Sequence, residues 1–200
     1  MKVTKLLKDN NKNKIAVYID DDYYFWLTQK EIDKLELEED AEISYGRITS
    51  IIDNIVFKKA KSKAMNLLKY CDRTEYEIKN KLAQNGYIDS VIENVIFFLK
   101  EYNYVDDYKY ACNYVNYHQN KSILQLKGLL LKKGIDKTLI HEALEHMEVK
   151  EEDIIHNIIV KKSRNYDFNK REDVQKMYYH LIRKGFNAPT VINKINQYKS

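Results

Sequence analysis

The sequence predicts a mostly α-helical protein in which three tandem three-helix repeats form a curved, elongated body, preceded by a small N-terminal β-meander. Glycine recurs at Gly86, Gly134 and Gly185, separated by 48 and 51 residues, and apolar residues follow a helical period around each one. The 200 residues include a single proline, which favours long helices. Self-similarity at this period is typical of repeat proteins, whose units bury their apolar faces against their neighbours.

The first 42 residues predict an antiparallel sheet followed by a short helix. Runs rich in β-branched and aromatic residues occupy positions 3–7, 15–19 and 23–27, and the polar clusters at 9–13 and 20–22 are predicted turns. Thr28 and Glu31 have the spacing of a capping box, which predicts a helix to about Leu35. The mostly acidic residues 36–42 are predicted to be a solvated connector. Residues 1–42 therefore form the predicted N-terminal β-rich extension.

Residues 43–57 are predicted to form a connecting helix with one apolar face, composed of Ile48, Ile51, Ile52 and Ile55. The three repeats are assigned to residues 58–105, 106–152 and 153–200. In each repeat the second helix should end at the recurrent glycine, which adopts a left-handed conformation without a clashing Cβ. Thr74, Ser122 and Asn169 are the predicted N-caps of these second helices.

Five positions are apolar or aromatic in all three repeats, at −8, −4, +6, +10 and +13 from the glycine. Their spacing places them on the inward faces of the second and third helices. The fifteen residues are Ile78, Leu82, Ile92, Ile96 and Leu99, then Leu126, Leu130, Ile140, Leu144 and Met147, then Met177, Leu181, Val191, Ile195 and Tyr198.

Several kinds of active site are excluded by the sequence patterns. There is no phosphate-binding loop. His141 and His146 are five residues apart, which turns them about 140° from each other on a helix, unlike the ligands of a zinc motif. Cys71 and Cys112 are expected to be free thiols, because no signal peptide is apparent. We predict a cytoplasmic protein that is not an enzyme, with no catalytic residue, no metal, no cofactor and no membrane span.

The charge distribution indicates a partner-binding surface in the helical part. The net charge is −4 over residues 1–57 and +8 over residues 58–200. Basic pairs directly precede the glycine in the second and third repeats. Cations there favour a helix C-terminus, and a stripe of them would attract phosphates or an acidic protein groove. The candidate contact residues are Lys79, Lys81, Lys132, Lys133, Arg183 and Lys184.

Tyr110 and Tyr117, on the first helix of the second repeat, are candidate anchors for a protein partner. Tyrosine buries a large area at low entropic cost, so it is favoured at interfaces. Packing of these rings within the repeat is the alternative interpretation, and the sequence leaves both open.

Two segments of the chain resemble the RecX family. The first has Ala64-Met65-Asn66-Leu67-Leu68, then Arg73-Thr74-Glu75-Tyr76-Glu77-Ile78, then Leu82 and Gly86-Tyr87. The second, Tyr104-Val105-Asp106-Asp107-Tyr108-Lys109-Tyr110-Ala111, resembles the start of the family's second repeat. The resemblance covers residues 58–200, with a loose match in the third repeat. The front of the chain resembles the N-terminal extension of Gram-positive RecX proteins.

This resemblance implies three tandem three-helix repeats that bind along the groove of the RecA filament on single-stranded DNA. It also implies negative regulation of the ATPase, strand-exchange and coprotease activities of RecA. We expect a monomer whose own contact with single- or double-stranded DNA is weak. A stand-alone nucleic-acid-binding helical repeat protein and a general helical adaptor remain alternatives, because three-helix units with basic faces also read DNA.

Overall fold

The computed structural model describes residues 1–9 and 13–198, so residues 10–12 of the first predicted turn lie outside it. The chain divides into two compact units, Met1–Asp106 and Asp107–Ser200. The first unit contains strands β1 (Val3–Asp9), β2 (Lys14–Ile19) and β3 (Asp22–Leu27) and helices α1 (Gln29–Leu35), α2 (Tyr45–Ile51), α3 (Phe57–Leu68), α4 (Glu75–Gln84) and α5 (Asp89–Glu101). The second contains helices α6 (Asp107–Tyr117), α7 (Ile123–Lys132), α8 (Lys137–His146), α9 (Glu151–Lys162), α10 (Arg171–Arg183) and α11 (Ala188–Asn196).

The three strands form the predicted meander, with antiparallel pairing in the order β1-β2-β3. Asp20 and Asp21 both have positive φ, at 50° and 70°. Such a pair of residues matches the right-handed strand twist in a tight hairpin, and aspartate tolerates it better than most residues. Alternate residues of β2 and β3 are buried, which gives the sheet one apolar face.

The acidic segment after α1 is mostly exposed, as its composition predicted, but it also packs against the sheet. Leu37 is buried, and the segment bonds to the start of β1 through Val3 N–H to the Ala41 carbonyl (2.9 Å) and Asp40 N–H to the Val3 carbonyl (2.8 Å). These bonds cover an edge of the sheet that would otherwise expose unpaired backbone groups.

The connecting helix and the first helix of the first repeat form one continuous helical stretch. A π-helical turn at Ile52–Val56 joins α2 to α3. Ile48 and Ile51 are buried before the turn, and Val56, Ala60 and Ala64 after it. The wider turn shifts the inward face by one residue, so that Val56 is buried and the predicted inward residue Ile55 is only half-buried.

The helical repeats each contain three helices, α3–α5, α6–α8 and α9–α11. Gly86, Gly134 and Gly185 end the second helix of each repeat with φ of 83°, 77° and 79°, as predicted. Of the fifteen predicted inward positions, all are buried except Met147 and Tyr198, which are half-buried. The boundaries of the five predicted segments, including 105/106 and 152/153, stay predictions.

Two of the three predicted caps are confirmed. Thr74 forms a full capping box with Glu77, and Ser122 Oγ accepts from Gln125 N–H at 3.2 Å. The third prediction is wrong, because α10 begins one residue later, after Lys170. Asn169 N–H instead bonds to the Asp167 side chain at 3.0 Å, which holds Asn169 in the preceding turn.

Candidate partner-binding surface

The basic pair of the second repeat lies at the end of α7. Lys132 is the last residue of the helix and is exposed. Lys133 is half-buried, and its Nζ lies 5.3 Å from the centre of the Tyr110 ring. An ammonium over an aromatic face is attracted by the ring quadrupole, so Lys133 is partly engaged within its own repeat. Lys132 is therefore the more accessible cation of this pair.

The basic pair of the third repeat lies where α10 ends against the start of α7. Arg183 is exposed and Lys184 is half-buried. The Lys184 carbonyl accepts a hydrogen bond from Ser122 Oγ at 2.7 Å. A Cβ on Gly185 would lie 3.0 Å from the same Oγ, so the glycine also permits this close approach.

The Ser122 contact joins the end of α10 to the start of α7 within the second unit. The Lys184 carbonyl is bonded to Ser122 at the N-terminus of α7, and Lys132 is the last residue of that helix. Ten residues of helix rise place the two ends about 15 Å apart. The main chain of one basic pair thus lies at each end of α7.

The two candidate lysines of the first repeat differ in their surroundings. Lys79 Nζ lies 2.6 Å from Glu93 and 2.9 Å from Glu75. The hydrogen bond to Glu93 is the main reason that the pKa of Lys79 is raised. Lys81 is exposed, and its Nζ donates to Gln84 Oε1 at 3.4 Å. Lys79 therefore stabilises the packing of α4 and α5, and Lys81 points its charge to solvent.

The end of α4 carries Gln84 and Asn85 where the other repeats have basic pairs, and the sheet supplies the missing cation. Lys14 Nζ donates to the Asn85 carbonyl at 2.7 Å, and the Tyr23 hydroxyl donates to the Gly86 carbonyl. An ammonium at a helix C-terminus interacts favourably with the helix dipole. Sequence patterns could not identify this contact, because its partners are more than 60 residues apart.

The candidate tyrosines occupy different environments on α6. Tyr110 is half-buried and stacks on Tyr114, with ring centres 6.3 Å apart, and Tyr114 stacks on His118 at 4.0 Å. Tyr117 is 83% exposed. Tyr110 therefore packs within its repeat, whereas Tyr117 offers its ring to a partner. His118 was not predicted, although its i, i+4 spacing from Tyr114 could have indicated the stack.

The described residues contain no group of three or more His, Cys, Asp or Glu side chains that could hold a metal ion. His141 Nε2 lies 3.4 Å from Glu145, whereas the His146 ring packs edge-on to Tyr108. Cys71 and Cys112 are both free thiols. Within residues 1–9 and 13–198, no helix has the length and apolar character needed to cross a membrane.

Comparisons with known proteins agree with this architecture. Residues 60–99 match the first three-helix domain of RecX. Regulatory protein RecX of Clostridioides difficile strain 630 is 30% identical, covering 98% of this chain and 94% of the relative. Regulatory protein RecX of Clostridium beijerinckii is 29% identical, covering 97% of this chain and 95% of the relative.

Solved structures give the same result. A crystal structure of regulatory protein RecX superposes with a TM-score of 0.65 at 25% identity, covering 98% of both chains. RecX from Lactobacillus salivarius superposes with the same TM-score and identity, covering 71% of this chain and 96% of that one. The match in sequence spans nearly the whole length, and the solved structures share the fold. The chain therefore belongs to the RecX family of regulatory proteins.

Proposed function

We propose that this protein is a negative regulator of RecA that binds along the groove of the RecA filament on single-stranded DNA. It would inhibit the ATPase, strand-exchange and coprotease activities of RecA without catalysing a reaction itself. The observation that carries the proposal is the near full-length similarity to regulatory RecX proteins. The cytoplasmic location expected from the sequence belongs to the same proposal, since RecA filaments assemble on DNA.

The mechanism that we propose is steric. The helical repeats wedge into the filament groove, bridge adjacent RecA protomers and block subunit addition or DNA exchange. The exposed cations at the ends of α7 and α10, Lys132 and Arg183, support this mechanism, since separate charges can meet an extended acidic surface at more than one point. An array of repeats also presents a longer continuous surface than one three-helix unit does.

The structure ranks the candidate contact residues by accessibility. Lys81, Lys132 and Arg183 are exposed and are the proposed charged contacts, with Tyr117 as the proposed aromatic anchor. The remaining four candidates are half-buried and would act by shaping the surface; they are Lys79, Tyr110, Lys133 and Lys184.

The first test is a titration of the protein into a RecA ATPase assay on single-stranded DNA. We expect inhibition at sub-stoichiometric to stoichiometric ratios, together with shortened filaments in electron micrographs. Full ATPase activity and unchanged filaments at several-fold excess would rule out the proposal.

Charge reversal tests the contact residues. Lys132→Glu and Arg183→Glu should each raise the concentration needed for half-inhibition several-fold, because a rim charge mainly sets the association rate. Lys137→Glu is the matched control, since Lys137 is exposed at the start of α8, where an added carboxylate does not oppose the helix dipole. Equal effects from all three variants would mean that only net charge matters and that the end of α7 is not a contact.

A further inference from the structure

The second and third repeats are built on separate hydrophobic cores. The buried apolar residues of the second repeat form one cluster, and those of the third repeat form another. Among the apolar residues that the structure describes, Val149 alone packs against both clusters, and it is only half-buried. By contrast, the N-terminal sheet and the first repeat share one continuous core. The second and third repeats therefore share little of the apolar packing that would hold them in one fixed arrangement.

The linker between these repeats, residues 147–150, has open space on two sides. A cavity of about 380 Å³ lies between the linker, α6, α7 and α9, with Val115 and Ile154 among its lining residues. A groove of about 450 Å³ lies between the linker, α7 and α8. Packed interiors contain few voids larger than a water molecule, so the linker has room to move. Glu148 within it has a positive φ of 45°, and short segments between helices are where hinge rotations are absorbed.

Two hydrogen bonds at the start of α7 hold the third repeat against the second. Ser122 Oγ donates to the Lys184 carbonyl at 2.7 Å, and Ile123 N–H donates to Glu151 Oε1 at 2.7 Å. The first bond reaches the end of α10, and the second reaches the first residue of α9. Polar contacts from two helices of the third repeat thus converge on one short segment of the second.

We propose that the third repeat pivots on the second, with residues 147–150 as the hinge and the two hydrogen bonds at the start of α7 as the latch. Opening breaks two hydrogen bonds but disrupts neither hydrophobic core, so its free-energy cost is small compared with unfolding. Lys132 and Arg183 belong to different repeats, so the hinge angle sets their separation. This consequence for a RecA contact rests on the proposed function, whereas the hinge itself does not.

The test measures distances between pairs of nitroxide labels by double electron–electron resonance in the full chain, with Cys71→Ser and Cys112→Ala removing the native thiols. The cross-repeat pair is Glu142→Cys on α8 with Asn193→Cys on α11, and the control pair within the third repeat is Lys161→Cys with Asn193→Cys. All three labelled positions are exposed. The cross-repeat pair should give a second, distinct distance that is absent from the control pair.

Latch variants should shift the cross-repeat distances. Glu151→Ala should raise the population of the second distance about 10-fold, because a hydrogen bond to a charged group is lost, and Ser122→Ala should raise it several-fold. Glu152→Ala is the matched control and should change nothing, since this neighbouring carboxylate pairs with Lys194 inside the third repeat at 3.6 Å. The two latch variants remove different bonds, so either suffices if the other fails to fold. A cross-repeat distribution as narrow as that of the control pair, in wild type and in a folded latch variant, would overturn the proposal.

RecA filaments provide a separate measurement on the chain with an intact latch. Binding should narrow the cross-repeat distribution to one distance, because simultaneous contacts through Lys132 and Arg183 fix the hinge angle. An unchanged distribution in the filament-bound chain would overturn the role of the hinge in RecA contact. Failure of the chain to inhibit RecA would count against the proposed function alone, since the label distances in the free chain do not depend on RecA.

Discussion

At the scale of single residues, Ser122 links the second helices of two successive repeats. Its hydroxyl accepts from Gln125 N–H and donates to the Lys184 carbonyl, so one side chain caps the start of α7 and the end of α10. A hydroxyl can do both, because it is a donor and an acceptor at once. Ser122 is fully buried, so both bonds replace contacts with water that the backbone would otherwise lose.

Two glycine-to-alanine variants should have opposite effects on stability. Gly185→Ala should lower the free energy of unfolding by about 2 kcal/mol, because a residue with a Cβ is strained at φ of 79° and would press on Ser122 Oγ. Gly128→Ala should raise the free energy of unfolding by about 1 kcal/mol, since Gly128 lies inside α7 with open space around it. Urea denaturation measures the free energy of unfolding of both variants. A Gly185→Ala protein as stable as wild type would contradict the role given to the glycine.

His180 should make stability depend on pH. Its Nε2 is buried without a hydrogen-bond partner among the described residues. Burial is the first cause that lowers its pKa below 6.5, followed by repulsion from Lys162, Lys184 and Arg183. The unfolded chain therefore binds a proton that the folded chain resists, so stability falls as pH decreases through about 6.5.

Urea unfolding from about pH 7.5 to about pH 5.5 tests this with wild type and His180→Gln. The free energy of unfolding of wild type should decline more steeply toward low pH than that of the variant. Parallel curves would mean that His180 titrates alike in the folded and unfolded chains.

At the scale of elements, the N-terminal sheet covers the end of the first repeat's second helix. Lys14 and Tyr23 donate to the carbonyls of Asn85 and Gly86, directly after α4. The ammonium groups of Lys14 and Lys59 lie 3.9 and 3.7 Å from the centre of the Trp26 ring. The buried residues of the sheet and of α3–α5 form one continuous core. The sheet thus takes the place against the first repeat that a neighbouring repeat takes in an array.

Removal of residues 1–42 should therefore destabilise the first repeat. Hydrogen exchange should show a large loss of protection in α4, because its C-terminal carbonyls and the core beneath it become exposed. Protection in α10 serves as the internal control and should be unchanged, since α10 lies in the other unit. Full protection of α4 in the truncated chain would show that the sheet does not stabilise the first repeat.

At the scale of the whole molecule, charge is separated along the chain. The net charge is −4 over residues 1–57 and +8 over residues 58–200. Part of the acidic charge is neutralised internally, as in the Glu31–Lys59 pair. The exposed cations of the repeats are therefore the main electrostatic feature offered to an acidic partner.

Inhibition of RecA should weaken with salt. Raising monovalent salt from about 50 to about 200 mM should increase the half-inhibiting concentration several-fold, because exposed charges are screened beyond the Debye length. The Lys132→Glu variant should show a smaller increase, since part of the attraction is already absent. RecA alone at each salt concentration is the baseline, and an equal salt response in both proteins would argue against an electrostatic contact at Lys132.

Local sequence predicted the helices, the hairpin and most of the core. The left-handed glycines and the apolar positions around them depend on backbone sterics and on a 3.6-residue period, which neighbouring residues determine. The predicted N-cap Asn169 is wrong because a one-residue shift of the turn before α10 leaves similar polar residues nearby in sequence.

Local patterns in the chain are sufficient to predict the repeat class, the three helix ends at glycine and the excess of cations in the helical part. The accessibility of those cations depends on long-range packing, since Lys79 pairs with Glu93, Lys133 lies over Tyr110, and Lys132 is exposed. The contact of the sheet with the end of α4 also depends on this packing. These contacts join residues far apart in the chain, and their formation depends on packing that no local pattern specifies.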